Sequence, residues 1–180
     1  MTSTTVLPDL TGHYTLDLAR TRIGFVARHT IGPAVPGQFG RFEGGAYLDG
    51  GDPSRSSAEL TIQTGSLQTS NGQRDGYLRG KYLNLAGQPT ITFTSSQVKQ
   101  AGETTFELTG DLTIRGVTNP ITVSFELTGA EHDPSGSLLV HFKGGATINR
   151  KDWGVHWAAA TGLVGKTVAL ELDVTAIRRP

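Results

Sequence analysis

The chain of 180 residues contains no cysteine, which excludes disulfides, thiolate metal sites, iron–sulfur clusters and a cysteine nucleophile. Neither sign of charge is in excess. Sixteen Lys and Arg stand against 16 Asp and Glu, for a formal net charge of zero, so no electrostatic pull toward nucleic acid or an anionic membrane is expected. Long apolar runs are missing too. No stretch approaches the ~18 apolar residues of a spanning helix, and Met1 to Leu10 lacks the basic segment and apolar run of ~7 to 15 residues of a signal peptide. A cytoplasmic protein without a transmembrane segment is the expectation. The five histidines, His13, His29, His132, His141 and His156, have no metal-ligand spacing. No nucleophile elbow, phosphate loop or dinucleotide fingerprint occurs either, so neither a catalytic residue nor a metal or cofactor is expected.

Glycine, by contrast, is abundant, with 24 residues and no G-X-Y period, as expected of many short strands joined by tight turns. The clearest pattern lies in residues 106–127. Phe106, Leu108, Leu112 and Ile114 alternate with Glu107, Thr109, Asp111 and Thr113. Ile121, Val123, Phe125 and Leu127 then alternate with Thr122, Ser124 and Glu126. A period of two with one polar face predicts a pair of long strands, with Gly116 and Asn119-Pro120 supplying the turn.

The same alternation places Ile23, Phe25, Ala27 and His29 on one strand face, and Ala58, Leu60 and Ile62 on another. It recurs at Ile91, Phe93 and Ser95, at Leu138, Val140 and Phe142, and at Val168, Leu170, Leu172 and Val174. Phe39, Phe42, Tyr47 and Leu48 read as a single strand bent by Gly40, Gly44 and Gly45. Residues 1–11 read as a loose lead-in. One short helix is expected near residues 71–83, capped by Thr69 or Ser70, with Arg74, Tyr77, Leu78 and Lys81 sharing a face. The prediction is one all-β domain over residues 1–180, an antiparallel barrel of about eight strands with one short helix. Mid-strand glycines favour closure over a sandwich.

Several segments, in order, resemble the YceI-like polyisoprenoid-binding family. Gly110-Asp111-Leu112-Thr113-Ile114-Arg115-Gly116-Val117-Thr118-Asn119-Pro120 is similar to that family's most distinctive segment, with Asn119 where a lysine is usual. Tyr14-Thr15-Leu16-Asp17 resembles its opening strand, and Ile23, Phe25 and His29 match its I-x-F-x-x-x-H. Gln88-Pro89-Thr90-Ile91-Thr92-Phe93 is similar to its Y-P-x-I-x-F, and Ile148-Asn149-Arg150-Lys151-Asp152-Trp153-Gly154 to its I-N-R-x-D-[FW]-G. Arg74-Asp75 with Leu78 resembles its R-D-x-H-L, the histidine being replaced by Tyr77. The resemblance implies an extended lipocalin-like barrel holding a long isoprenoid or other lipid chain, with no established catalysis. Many members are exported.

The expected wall residues are Phe25, Phe93, Leu108, Leu112, Ile114, Phe125 and Phe142, each of which is equally a plain core side chain. The expected head-group residues are His29, Arg74, Asp75 and Tyr77, with Leu78 beside them and Trp153 at the end of its strand. Arg74 beside Asp75 also suits a brace for the helix. Two other readings stay open: a lipid-modifying or isomerase-type enzyme using His29 and Asp75 as acid and base, and an interaction module with a filled barrel and an exposed His156-Trp157 patch. The partner implied is a hydrophobic small molecule, and the sequence leaves open whether the barrel forms a homodimer.

Overall fold

The computed structural model describes residues 7–29, 35–68, 90–114, 116–153 and 164–179. Its strands are β1 (Gly12–Leu16), β2 (Arg22–His29), β3 (Val35–Phe39), β4 (Phe42–Leu48), β5 (Ser57–Gln63), β6 (Leu67–Gln68), β7 (Thr90–Gln100), β8 (Thr105–Ile114), β9 (Val117–His132), β10 (Leu138–Asn149) and β11 (Val164–Arg178). All belong to one antiparallel sheet in the order β1-β4-β5-β7-β8-β9-β10-β11-β2-β3-β6, closed by β1 pairing with β11. The strands make an eight-position barrel, because three wall positions are each filled by two short strands end to end. β1 and β2 both pair with β11, β3 continues into β4, and β5 continues into β6. Among the described residues the only helical pieces are short 3-10 turns, and the helix expected over 71–83 lies outside them.

The three double positions break at one level, since β1, β4 and β5 pair with one another on one side of the breaks and β2, β3 and β6 on the other. A gap in a ladder leaves backbone groups to be satisfied. Opposite the first break, the Thr175 carbonyl accepts the Asp17 N–H at 2.8 Å and the Thr21 hydroxyl at 3.1 Å, while the Thr175 N–H donates to Thr21 Oγ1 at 3.1 Å. At the other two, the Gly40 N–H donates to the Ser66 carbonyl at 3.1 Å and the Gln63 N–H to the Arg41 carbonyl at 2.9 Å. The single strand expected through Phe39 and Leu48 is therefore two strands meeting at Gly40-Arg41.

The long hairpin forms as its alternation predicts, with β8 and β9 in register from Thr105↔Glu126 to Ile114↔Val117. Its turn is tighter than expected. Gly116 carries the positive φ, 76°, whereas Asn119 and Pro120 lie within β9 opposite Leu112 and Asp111. Proline is tolerated there because the β9–β10 ladder runs only from His132 to Ser124, so no strand on that side requires an N–H from residue 120. Asn119 instead uses its side chain, donating from Nδ2 to the Asp152 carbonyl at 2.8 Å.

Inward side chains form two apolar clusters. One gathers Ile23, Phe25, Ile62, Leu67, Ile91, Phe93, Leu112, Ile148, Trp153 and Val168. The other gathers Leu10, Tyr14, Leu127, Leu138, Val140 and Ala176, with Leu7, Leu48, Phe106 and Phe142 packed against it. For residues 7–11 the second cluster corrects the expectation of a loose lead-in; residues 1–6 lie outside the described residues. Leu7–Leu10 is a 3-10 turn with Leu10 buried. The fully buried Tyr14 donates its hydroxyl to the Leu10 carbonyl at 2.6 Å, and Arg178 Nη1 donates to the Asp9 carbonyl at 2.9 Å. This turn plugs the end of the barrel.

Candidate functional site

Strand alternation sends one residue in two inward, and in this barrel the inward set is almost wholly apolar, so the interior can offer dispersion contacts but few hydrogen bonds. The space is not filled. A cavity of about 320 Å³ runs between the two clusters and touches both, at the lower end of the roughly 300–1,000 Å³ of ligand sites. All seven residues expected as walls line it: Phe25, Phe93, Leu108, Leu112, Ile114, Phe125 and Phe142. Local alternation placed them, because each lies in phase with its near neighbours along the strand; the register shifts at Ser95–Gln97 and His141–Phe142 do not turn any of them outward.

The aromatic walls are paired. Phe25 and Phe39 sit with ring centroids 5.6 Å apart, and Phe125 meets Phe142 edge to face at 6.3 Å. Leu7, Leu10 and Tyr14 line the plugged end. Sequence reading missed the part played by Leu7 and Leu10; the available signal was two leucines three residues apart around Pro8, the spacing that shares a face in a 3-10 turn.

Among the described lining residues there is no Lys, Arg or His; the charged ones are Asp49 and Glu59, beside Ser56 and Ser57. Asp49 Oδ1 is engaged by its own turn, accepting the N–H of Gly51 at 3.0 Å and of Asp52 at 2.9 Å. Burial pushes the Tyr14 phenol above its ordinary pKa of 10.0, an effect the neighbouring Arg178 guanidinium partly opposes. Two exposed loop carboxylates go the other way. Asp52 and Asp133 are held below the ordinary carboxylate value first by the hydroxyls of Ser54 and Ser135.

Trp153 differs from its expectation. It is buried in the first cluster but is not a lining residue. Its Nε1–H donates to the Leu112 carbonyl at 2.8 Å, so it clamps the 3-10 turn Arg150–Trp153 onto β8. His29 belongs to β2, opposite Val164 of β11, but its side chain lies outside the description, as do Arg74, Asp75, Tyr77 and Leu78. The His156-Trp157 patch also lies outside it. The His29 and Asp75 pair is thus not brought together by anything described. His141 sits out of phase with the inward Val140 and Phe142, and bonds Thr175 Oγ1 at 2.9 Å and Glu131 Oε1 at 3.1 Å.

The comparisons with known proteins agree with this architecture. A UPF0312 protein of Pseudomonas aeruginosa is 38% identical over 158 residues, covering 87% of this chain and 81% of that protein. A UPF0312 protein of Pectobacterium carotovorum is 35% identical over the same length, with the same coverage. Among solved structures, BcnA of Burkholderia cenocepacia superposes with a TM-score of 0.79 at 23% identity, over 89% of this chain and 98% of its own. The YceI protein of Campylobacter jejuni gives 0.75 at 23% identity over the full length of both. A polyisoprenoid-binding domain from Saccharophagus degradans, implicated in plant cell wall breakdown, gives 0.69 at 16% identity over 94% of this chain and 99% of that one. These likenesses establish the shared barrel, and since the YceI-like domain model matches residues 14–176, the chain belongs to the YceI-like domain family.

Proposed function

We propose that the protein binds one long apolar lipid chain inside the barrel, an isoprenoid, an isoprenoid quinone or a fatty-acyl amide, and serves in its transport, storage or sensing rather than in catalysis. The observation that carries this reading is the cavity itself, unfilled space of about 320 Å³ whose wall is built from Phe, Leu, Ile and Val. Voids of that kind forfeit packing contacts in a protein with no use for them. Each CH₂ moved from water into it contributes roughly 0.8 kcal/mol, so a long chain needs few polar contacts. Kinship with the Saccharophagus domain supports the same ligand class.

The head group is a neutral one in this proposal. Among the described lining residues no cation is available to a diphosphate, and at position 77, where the family has histidine, a tyrosine with an ordinary pKa near ~10 stays uncharged and offers only a hydroxyl. Tyr77 and His29 are assigned to hydrogen-bond the head, with Arg74 engaged by Asp75. Titrating a prenol and the matching prenyl diphosphate against the delipidated protein tests this. Comparable affinities are expected, and Tyr77→Phe should weaken prenol binding by the ~0.5 to 1.5 kcal/mol of one neutral hydrogen bond. A preference above about tenfold for the diphosphate, worth ~1.4 kcal/mol, would show a free cation at the head and overturn the assignment; absence of binding to either would overturn the lipid-binding reading.

A further inference from the structure

Three phenylalanines of the wall are packed onto glycines of the neighbouring strand. Phe25 pairs with Gly37 across β2 and β3, Phe125 pairs with Gly144 across β9 and β10, and Phe93 of β7 reaches Gly110 of β8 diagonally. A Cβ placed on Gly37, Gly144 or Gly110 would come within 3.0 Å of the ring of Phe25, Phe125 or Phe93 respectively, nearer than real Cβ atoms approach. Each ring therefore takes the volume that a side chain at the glycine would fill. The aromatic bulk is stored against the wall, and the centre of the barrel stays open.

We propose that Gly37 and Gly144 are specificity-determining residues that widen the bore enough for a methyl-branched chain, so that the barrel prefers polyprenyl ligands to straight acyl chains. The inference rests on the lipid-binding reading and names the ligand class that reading leaves open. Polyprenyl chains carry a methyl on every isoprene unit and are thicker than straight acyl chains of the same length. With a methyl on Gly144, the Phe125 ring must leave the wall. The adjacent inner surface is already taken by Phe106 on β8 and Phe142 on β10, so the ring moves into the lumen. With a methyl on Gly37, Phe25 is confined in the same way by Phe39 and by Leu170 on β11.

The glycines differ in what else stands nearby. At Gly37 and Gly144 the three nearest atoms to an added Cβ are all ring atoms, so a side chain moves and the backbone need not. At Gly110 the Thr94 carbonyl and the Ser95 Cα are also in the way, so substitution there disturbs the fold and is unsuited to a test of selectivity.

The test is competitive loading. Protein delipidated by denaturation and refolded is mixed with equal amounts of geranylgeraniol and hexadecanol, which have the same backbone length, and native mass spectrometry reads the ratio bound, with a thermal melt to confirm folding. Wild type should favour geranylgeraniol. Gly144→Ala and Gly37→Ala should each lower the prenol-to-alcohol ratio about tenfold or more, the discrimination an apolar site exerts over a surplus methyl group. The double variant Gly144→Ala, Phe125→Leu should return most of it. Phe125→Leu alone adds no contact to the backbone and serves if the alanine variants do not fold; it should raise the prenol share or leave it unchanged. Wild type loading both ligands without preference, unchanged ratios in folded alanine variants, or a lower prenol share in Phe125→Leu would overturn the inference while leaving lipid binding intact. Wild type loading neither ligand would overturn both.

Discussion

Replacing Tyr14 by Phe isolates the bond that holds the plugged end of the barrel. The ring keeps its place among Leu10, Leu127, Leu138 and Val140, while the Leu10 carbonyl loses the hydroxyl that donates to it at 2.6 Å. Leaving a buried acceptor unsatisfied costs ~1–3 kcal/mol. For a chain of this size each kcal/mol lowers Tm by about 2–4 °C, which puts the expected loss at about 2 to 12 °C near neutral pH. The pH dependence carries a second signature. Because the folded-state pKa of Tyr14 is raised above its ordinary 10.0, the phenol is neutral in both states below that value and its contribution is fully present there. As pH climbs past it, the unfolded chain releases the proton first and the contribution is lost. Tyr14→Phe has no such titration, so the stability gap between wild type and variant should hold up to about pH 10 and narrow as pH rises above it. Denaturant melts of both proteins across that range measure the gap. A variant as stable as wild type at neutral pH, or a gap that widens with alkalinity, would refute the reasoning.

Leu112→Arg places a charge on the inner face beside Phe93 and should cost several kcal/mol and abolish lipid loading; an unchanged melting temperature would mean that the side chain does not face the lumen. Trp153→Phe removes the donor to the Leu112 carbonyl and should cost ~1–3 kcal/mol in a denaturant melt without changing ligand selectivity, since residue 153 does not line the cavity; altered selectivity would contradict its place outside the lining. Thr21→Val leaves the Thr175 N–H at the β1–β2 break without its acceptor and should destabilise by a similar ~1–3 kcal/mol, seen as faster amide exchange at residue 175; protection equal to wild type would refute the bridging role.

The parts of this molecule legible in its sequence are those governed by a local period. Local alternation marked the inward faces of β2, β7, β8, β9 and β10, and with them the seven wall residues, because in a closed sheet with one buried face the pleat decides which side chain faces in. What escaped was set by contacts distant in sequence. Pro120 looks like a turn residue until one sees that the β9–β10 ladder stops at Ser124. Residues 7–10 look like a tail until Tyr14 and Arg178 are brought to their carbonyls. The break at Gly40-Arg41 depends on Ser66 and Gln63, more than 20 residues away. Trp153 was legible as an aromatic at a strand end, yet only the fold shows its indole turned to the Leu112 carbonyl.

The central claim is that the interior cavity is a ligand site, and the most direct measurement is native mass spectrometry of the gently purified protein, followed by denaturing solvent extraction and identification of what is released. The account predicts a mass above that of the polypeptide that collapses to the bare chain on denaturation, with a single-chain, uncharged, prenylated lipid in the extract. A bare mass in repeated preparations, an empty extract, and failure of the refolded protein to take up geranylgeraniol or hexadecanol would contradict it.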